Sequence, residues 1–134
     1  MVPDAELLAL AYLRARPALA AVRFATVRPA DIAARVPLVT VERIGGGGAA
    51  PSWRGGTLID RPAIHLQAWA GPARADARAL LRRVLAELDA ARAVTLPEGH
   101  IVRAVPLAGP TLVPDPGAPE HLHRATATVQ LTTR

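Results

Sequence analysis

The sequence predicts an α+β protein: a mostly antiparallel sheet of about four strands, with an N-terminal helix and one long central helix packed on one face. Three observations carry that expectation. Ile64, Leu66 and Ala68 alternate with His65, Gln67 and Trp69, the period-two pattern of a half-buried strand. After Gly71 and Pro72, Ala73, Ala77, Leu80, Leu81, Val84, Leu85, Leu88 and Ala91 recur at three- and four-residue steps, which makes the apolar stripe of a helix lying on a sheet. Near the end of the chain Ala125, Ala127, Val129 and Leu131 alternate with Thr126, Thr128, Gln130 and Thr132, as in a sheet with one wet face.

Taken in order, Pro3, Asp4 and Glu6 open the first helix with acids at the positive end of its dipole, and the helix stops before Pro17. Leu7, Leu8, Ala11 and Ala15 make one face, but Leu10 and Leu13 lie off it, so the helix is apolar nearly all round. Such a helix is either buried from two sides within its own domain or covered by another subunit, which makes Leu10 and Leu13 candidate interaction residues. Residues 18–22 fit a short helical turn and residues 23–27 a short strand. Residues 36–44 (VPLVTVERI) are rich in β-branched side chains and form the clearest early strand. Residues 45–56 (GGGGAAPSWRGG) then hold six glycines in twelve positions, so the segment holds no single shape on its own; Trp53 and Arg54 are its only large side chains. If the flanking strands pair, this is the tip of a long hairpin.

In the central helix Pro72 suits the first helical position. Arg78, Arg82 and Asp89 fall opposite the apolar stripe, and Arg83 and Glu87, one turn apart, form a flanking pair. Residues 96–99 are a turn and residues 100–107 a strand, while Pro110, Pro114, Pro116 and Pro119 mark a surface loop. Residues 121–133 form the last strand. Residues 1–134 read as a single domain with no internal repeat, long enough to bury a core and 51% hydrophobic.

Composition excludes several kinds of chemistry. All 16 basic residues are arginine, set against 11 acids for a net charge of +5, so there is no Schiff-base or phosphate-loop lysine. Cysteine is absent, which removes thiol nucleophiles, disulfides and thiolate metal sites. Ser52, the only serine, lies in the glycine-rich segment, where no base is held within reach of it. The four glycines at 45–48 lack the lysine and following helix of a phosphate cradle. His121 and His123 share one side of a strand, and with His65 or His100 they suggest zinc, yet closed zinc sites need four ligands and no fixed third one is visible. Asp115, between two prolines, is either an acid in a cleft or a turn residue bonding its own backbone. No catalytic, metal or cofactor-binding residue is therefore assigned, and an enzyme is not expected. No apolar run approaches membrane-span length and no basic lead opens the chain, so a soluble, cytosolically made protein is expected.

The phrases AELLALAYLRARPALAAV, PLVTVERIGG, IHLQAWA, ARADARALLRRVLAEL, TLVPDP and ATATVQLTT, in this order across residues 5–132, resemble the tail terminator proteins of long-tailed bacteriophages, of the small kind found in phages and prophages of high-GC bacteria. The resemblance implies an α+β structural protein of the virion and not an enzyme. Six copies would form a ring on the last ring of tail tube protein, stop its polymerisation and present the head-tail joining surface. The implied partners are further copies of the chain, the tail tube protein and the head-tail connector protein, with DNA passing through the ring without sequence-specific binding and no membrane involved. The implied place is the neck end of the virion tail, after assembly in the host cytoplasm. No cofactor is implied. A ring would also supply a neighbour to cover the first helix and to receive Trp53 and Arg54. The rival reading, drawn from charge alone, is a small arginine-rich nucleic-acid-binding module, whose binding would weaken steeply with salt where apolar ring contacts would not.

Overall fold

The computed structural model describes residues 3–46, 50–51 and 57–134. Its first helix, α1 (Ala5–Arg14), starts where the Asp4 carboxylate accepts the backbone N–H groups of Glu6 and Leu7 at 2.9 and 3.2 Å, which satisfies two otherwise orphaned donors. A single 3₁₀ turn (Pro17–Leu19) leads into β1 (Arg23–Ala25), and a second (Ile32–Ala34) precedes β2 (Leu38–Gly46). Beyond β2, β3 (Ala50–Pro51) and β4 (Thr57–Ile59) pair as a separate two-stranded ribbon. β5 (Pro62–Ala70), α2 (Arg74–Asp89), β6 (Val94–Leu96), β7 (Gly99–Leu112) and β8 (His123–Thr133) complete the order. β2 and β5 pair antiparallel, so the chain between them, residues 47–61, joins two neighbouring strands.

The α+β class holds, but the main sheet has six strands where the sequence predicts about four, in the order β1-β2-β5-β8-β7-β6, and it is mixed because β1 runs parallel to β2. Of the two outer strands, three residues each, β1 falls within the short strand expected at residues 23–27, while β6 is too short to show a period of two. β7 also runs further than expected, to Leu112, carrying Pro106 and Pro110 inside it. Proline is tolerated there because β6 pairs only with residues 99–101 of β7, and among the described residues no strand pairs with β7 beyond that on the same edge. Three register shifts between β7 and β8 take up the irregularity.

Both helices cover one face of the sheet. Ala77, Leu80, Leu81, Val84 and Leu88 of α2 are buried in one core with Val39 and Val41 of β2 and with Ile64, Leu66, Ala127, Val129 and Leu131, the alternating positions read from the sequence. α2 begins two residues later than expected. Pro72 precedes the helix and Ala73 is its cap, with the Asp76 carboxylate accepting the Ala73 N–H at 3.0 Å. Just before it, a side chain at Gly71 would collide with the backbone carbonyl of His121, so only glycine lets β5 turn so close to the start of β8. Glu87 is paired across helices and not along one: its carboxylate accepts from Arg16 Nε at 2.6 Å, and its carbonyl accepts the Tyr12 hydroxyl at 2.6 Å. The expected Arg83–Glu87 pair gives way because this clamp joins α1 to α2, where the side chain is partly shielded from water.

Candidate assembly surfaces

Alternation predicts a wet opposite face of the sheet, with Trp69 on it. Trp69 is instead fully buried, packed with Ile32, Leu38 and Leu122 in a second small core, with Ala25, Val36 and Ala118 around it. Alternation places Trp69 on that face correctly; what covers it there is loop, from residues 28–37 and 113–122. Its indole Nε1–H donates to Asp115 Oδ2 at 2.9 Å, and Arg28 Nε donates to the same oxygen at 2.8 Å. Asp115 Oδ1 accepts the Gly117 N–H at 3.1 Å, so the carboxylate does bond its own turn while also tying two loops to the sheet. On the loop's other flank, Arg124 donates to the Val113 and Pro114 carbonyls at 3.2 and 2.8 Å and fixes the start of the segment.

Burial works against ionisation of Asp115, but the indole, the guanidinium and the turn N–H together outweigh it and hold the carboxyl below the usual carboxylate range. A depressed folded-state value means that the stabilisation is fully present above the unfolded carboxylate pKa of about 3.9 and is lost as pH falls through the lower folded value. Asp115→Asn is therefore expected to melt lower at neutral pH, with the gap to the parent protein closing as pH falls below about 4. Thermal melts from neutral pH downwards check this, and a gap that stays constant would assign the stabilisation to other groups.

The histidines are placed apart in role. His123 Nε2 meets the Pro72 carbonyl at 3.1 Å and His100 Nδ1 meets Thr95 Oγ1 at 2.8 Å. Among the described residues no three His, Asp or Glu side chains converge as metal ligands, and no helix is long and apolar enough to cross a membrane. Beside the Asp115 loop an open groove of about 310 Å³ is lined by Arg74, Leu112, Pro116, Pro119 and His123 among others. The half-buried carboxylate of Asp115 in it is already engaged in three hydrogen bonds.

The candidate interaction residues divide in two. Leu10 and Leu13 are 3% and 0% exposed and belong to the subunit's own core, so the all-round apolar helix is buried from two sides by its own chain. Trp53 and Arg54 lie outside the described residues. Apart from Val27 in the segment after β1, the exposed large apolar side chains described, which periodicity does not single out, lie at two margins of the sheet. At one margin the Glu6 carboxylate accepts the Arg43 N–H at 3.1 Å, tying α1 to β2, and the next residues, Leu7 and Ile44, are 55% and 54% exposed. At the other, on the stretch of β7 paired with β8 alone, Leu107 is 56% and Val105 36% exposed, in a run from 104 to 113 without a single charge.

Comparison with known proteins agrees with this architecture. The family described as phage tail termination protein matches the chain over residues 1–134. No curated protein matches it. Among solved structures, that of the bacteriophage SPP1 gp17 protein is similar over 96% of this chain and 87% of its own, with a TM-score of 0.52 and 18% identity, a likeness of fold. The match across all 134 residues, on a fold of the same class, makes this chain a member of the phage tail termination protein family, structural proteins of the virion tail.

Proposed function

We propose that the protein closes the end of the phage tail tube as a hexameric ring, stopping tube polymerisation and presenting the surface that joins the head connector. The observation that carries this reading is the pair of exposed apolar margins on one sheet. Leu7 and Ile44 stand at the β2 side and Val105 and Leu107 at the β7 side, three strand spacings of about 4.8 Å apart. Two different patches on opposite edges suit a head-to-tail contact, which closes into a ring when the rotation per subunit allows it. Pro106, Pro110 and the register shifts keep the β7 edge from simple strand addition, so a subunit waiting to assemble stays monomeric or in weak exchange. On the tube end the ring forms, and Trp53 and Arg54 act as anchors from the glycine-rich segment, as aromatic and arginine side chains do at other interfaces. DNA passes through the ring without being read.

Two variants test the reading. Leu107→Asp puts a charge on an already exposed position, so the subunit should fold with stability within about 0.5 kcal/mol of the parent. Trp53→Ala should likewise spare folding. Both should abolish capping, leaving overlong or headless tails by electron microscopy, while sedimentation of the parent protein with tube protein shows a form larger than a dimer. Tails of normal length that join heads in both variants would overturn the ring contact proposed here.

A further inference from the structure

The arginines look scattered along the chain, yet the fold gathers several of them on the outward face of α2. Arg74, Arg78 and Arg82 follow one another at four-residue steps along one ridge of the helix, with Arg83 on its flank; Arg78 is half-buried and the other three are exposed. At 1.5 Å rise per residue the three are spaced roughly 6 Å apart over roughly 12 Å. Like charges one turn apart repel and weaken a helix. None of the four has an ion pair or hydrogen bond to offset this among the described residues. The nearby acids are engaged or marginal. Asp76 caps the helix and Glu87 is held by Arg16, while Asp89 sits at the last residue of the helix and Glu120 lines the groove beside Arg74. The exposed small residues beside them are Ala75, Ala79 and Ala86, and Leu85, beyond Arg82, is packed against the core.

From this juxtaposition we propose that the outward face of α2 binds the phosphate backbone of nucleic acid through Arg74, Arg78 and Arg82. A protein partner would need an apolar or aromatic anchor to seat against, and a face of arginine and alanine offers none. A phosphate backbone needs no pocket. Each strand carries one negative charge per roughly 3.4 Å of duplex axis, so a row of guanidinium groups at roughly 6 Å steps lying along that axis meets about every second phosphate. The binding is independent of sequence, because no side chain on this face is placed to read base edges.

The test is fluorescence anisotropy of a short labelled duplex of arbitrary sequence with the isolated, full-length protein, across a salt series. Three phosphate contacts predict a slope of log K against log salt near −2.7, which is roughly a 40-fold weakening from 50 to 200 mM salt. The triple variant R74A/R78A/R82A should retain the parent's melting temperature within a few degrees and lose most of that slope, whereas Arg103→Ala, a control on β7, should lose little. Equal binding by the triple variant, or a salt-insensitive isotherm, overturns the proposal. So does competition by polyglutamate as effective as unlabelled duplex at equal charge, which would assign the face to an acidic protein surface. Ring closure depends on other residues, so either proposal can fail while the other stands.

Discussion

Trp69→Ala is expected to lower the unfolding free energy by about 3–5 kcal/mol, a large part of the 5–15 kcal/mol typical of a domain. Trp69 is the largest fully buried side chain described, and it is the centre of a core too small to collapse around a void. Its removal takes away the contact that holds the 28–37 and 113–122 loops on the sheet and one of the donors to Asp115. Trp69→Phe separates packing from bonding: it keeps most of the apolar volume and loses the 2.9 Å bond to a charged acceptor, for an expected cost of about 1.5–3 kcal/mol. Urea melts followed by circular dichroism check both values. A double-mutant cycle of Trp69→Phe with Asp115→Asn should be non-additive, since each removes the same bond. Additive costs would mean that the indole and the carboxylate stabilise the loops independently.

Leu80→Ala and Leu88→Ala are each expected to cost about 2–5 kcal/mol, with Val84→Ala moving in the same direction. All three side chains are 2% exposed or less and sit in the main core between α2 and the sheet, where a deleted side chain leaves a cavity that the rigid sheet cannot fill. Arg78→Ala, on the same helix but off the core, should change stability by less than about 0.5 kcal/mol or raise it slightly as repulsion along the row is relieved. Thermal melts of the four variants decide the matter. The reverse order of costs would mean that α2 presents the opposite face to the sheet.

The sequence by itself determined the parts of this protein in which one local pattern has one physical solution. Alternation in 64–69 and 125–131 and the three-and-four spacing of 77–88 each bury a single face, so β5, β8 and α2 are legible in the residue pattern alone. The likeness in phrases across 5–132 is legible too, and the family match bears it out. Tertiary structure decided what local pattern leaves open. Whether the second face of a strand meets water or a loop depends on distant residues such as Asp115, 46 positions away, and so alternation puts Trp69 on the right side but in the wrong environment. Glu87 has a candidate partner one turn away and another 71 residues away, and helix–helix packing selects the distant one. Prolines normally end a strand, but at an edge with no partner a missing N–H costs nothing, which lets β7 continue to Leu112. The same holds for the surfaces. Leu10 and Leu13 face the subunit's own core, while Leu7, Ile44 and Leu107 stay outside, because burial is a property of what packs on a residue and not of the residue's own neighbours in the chain.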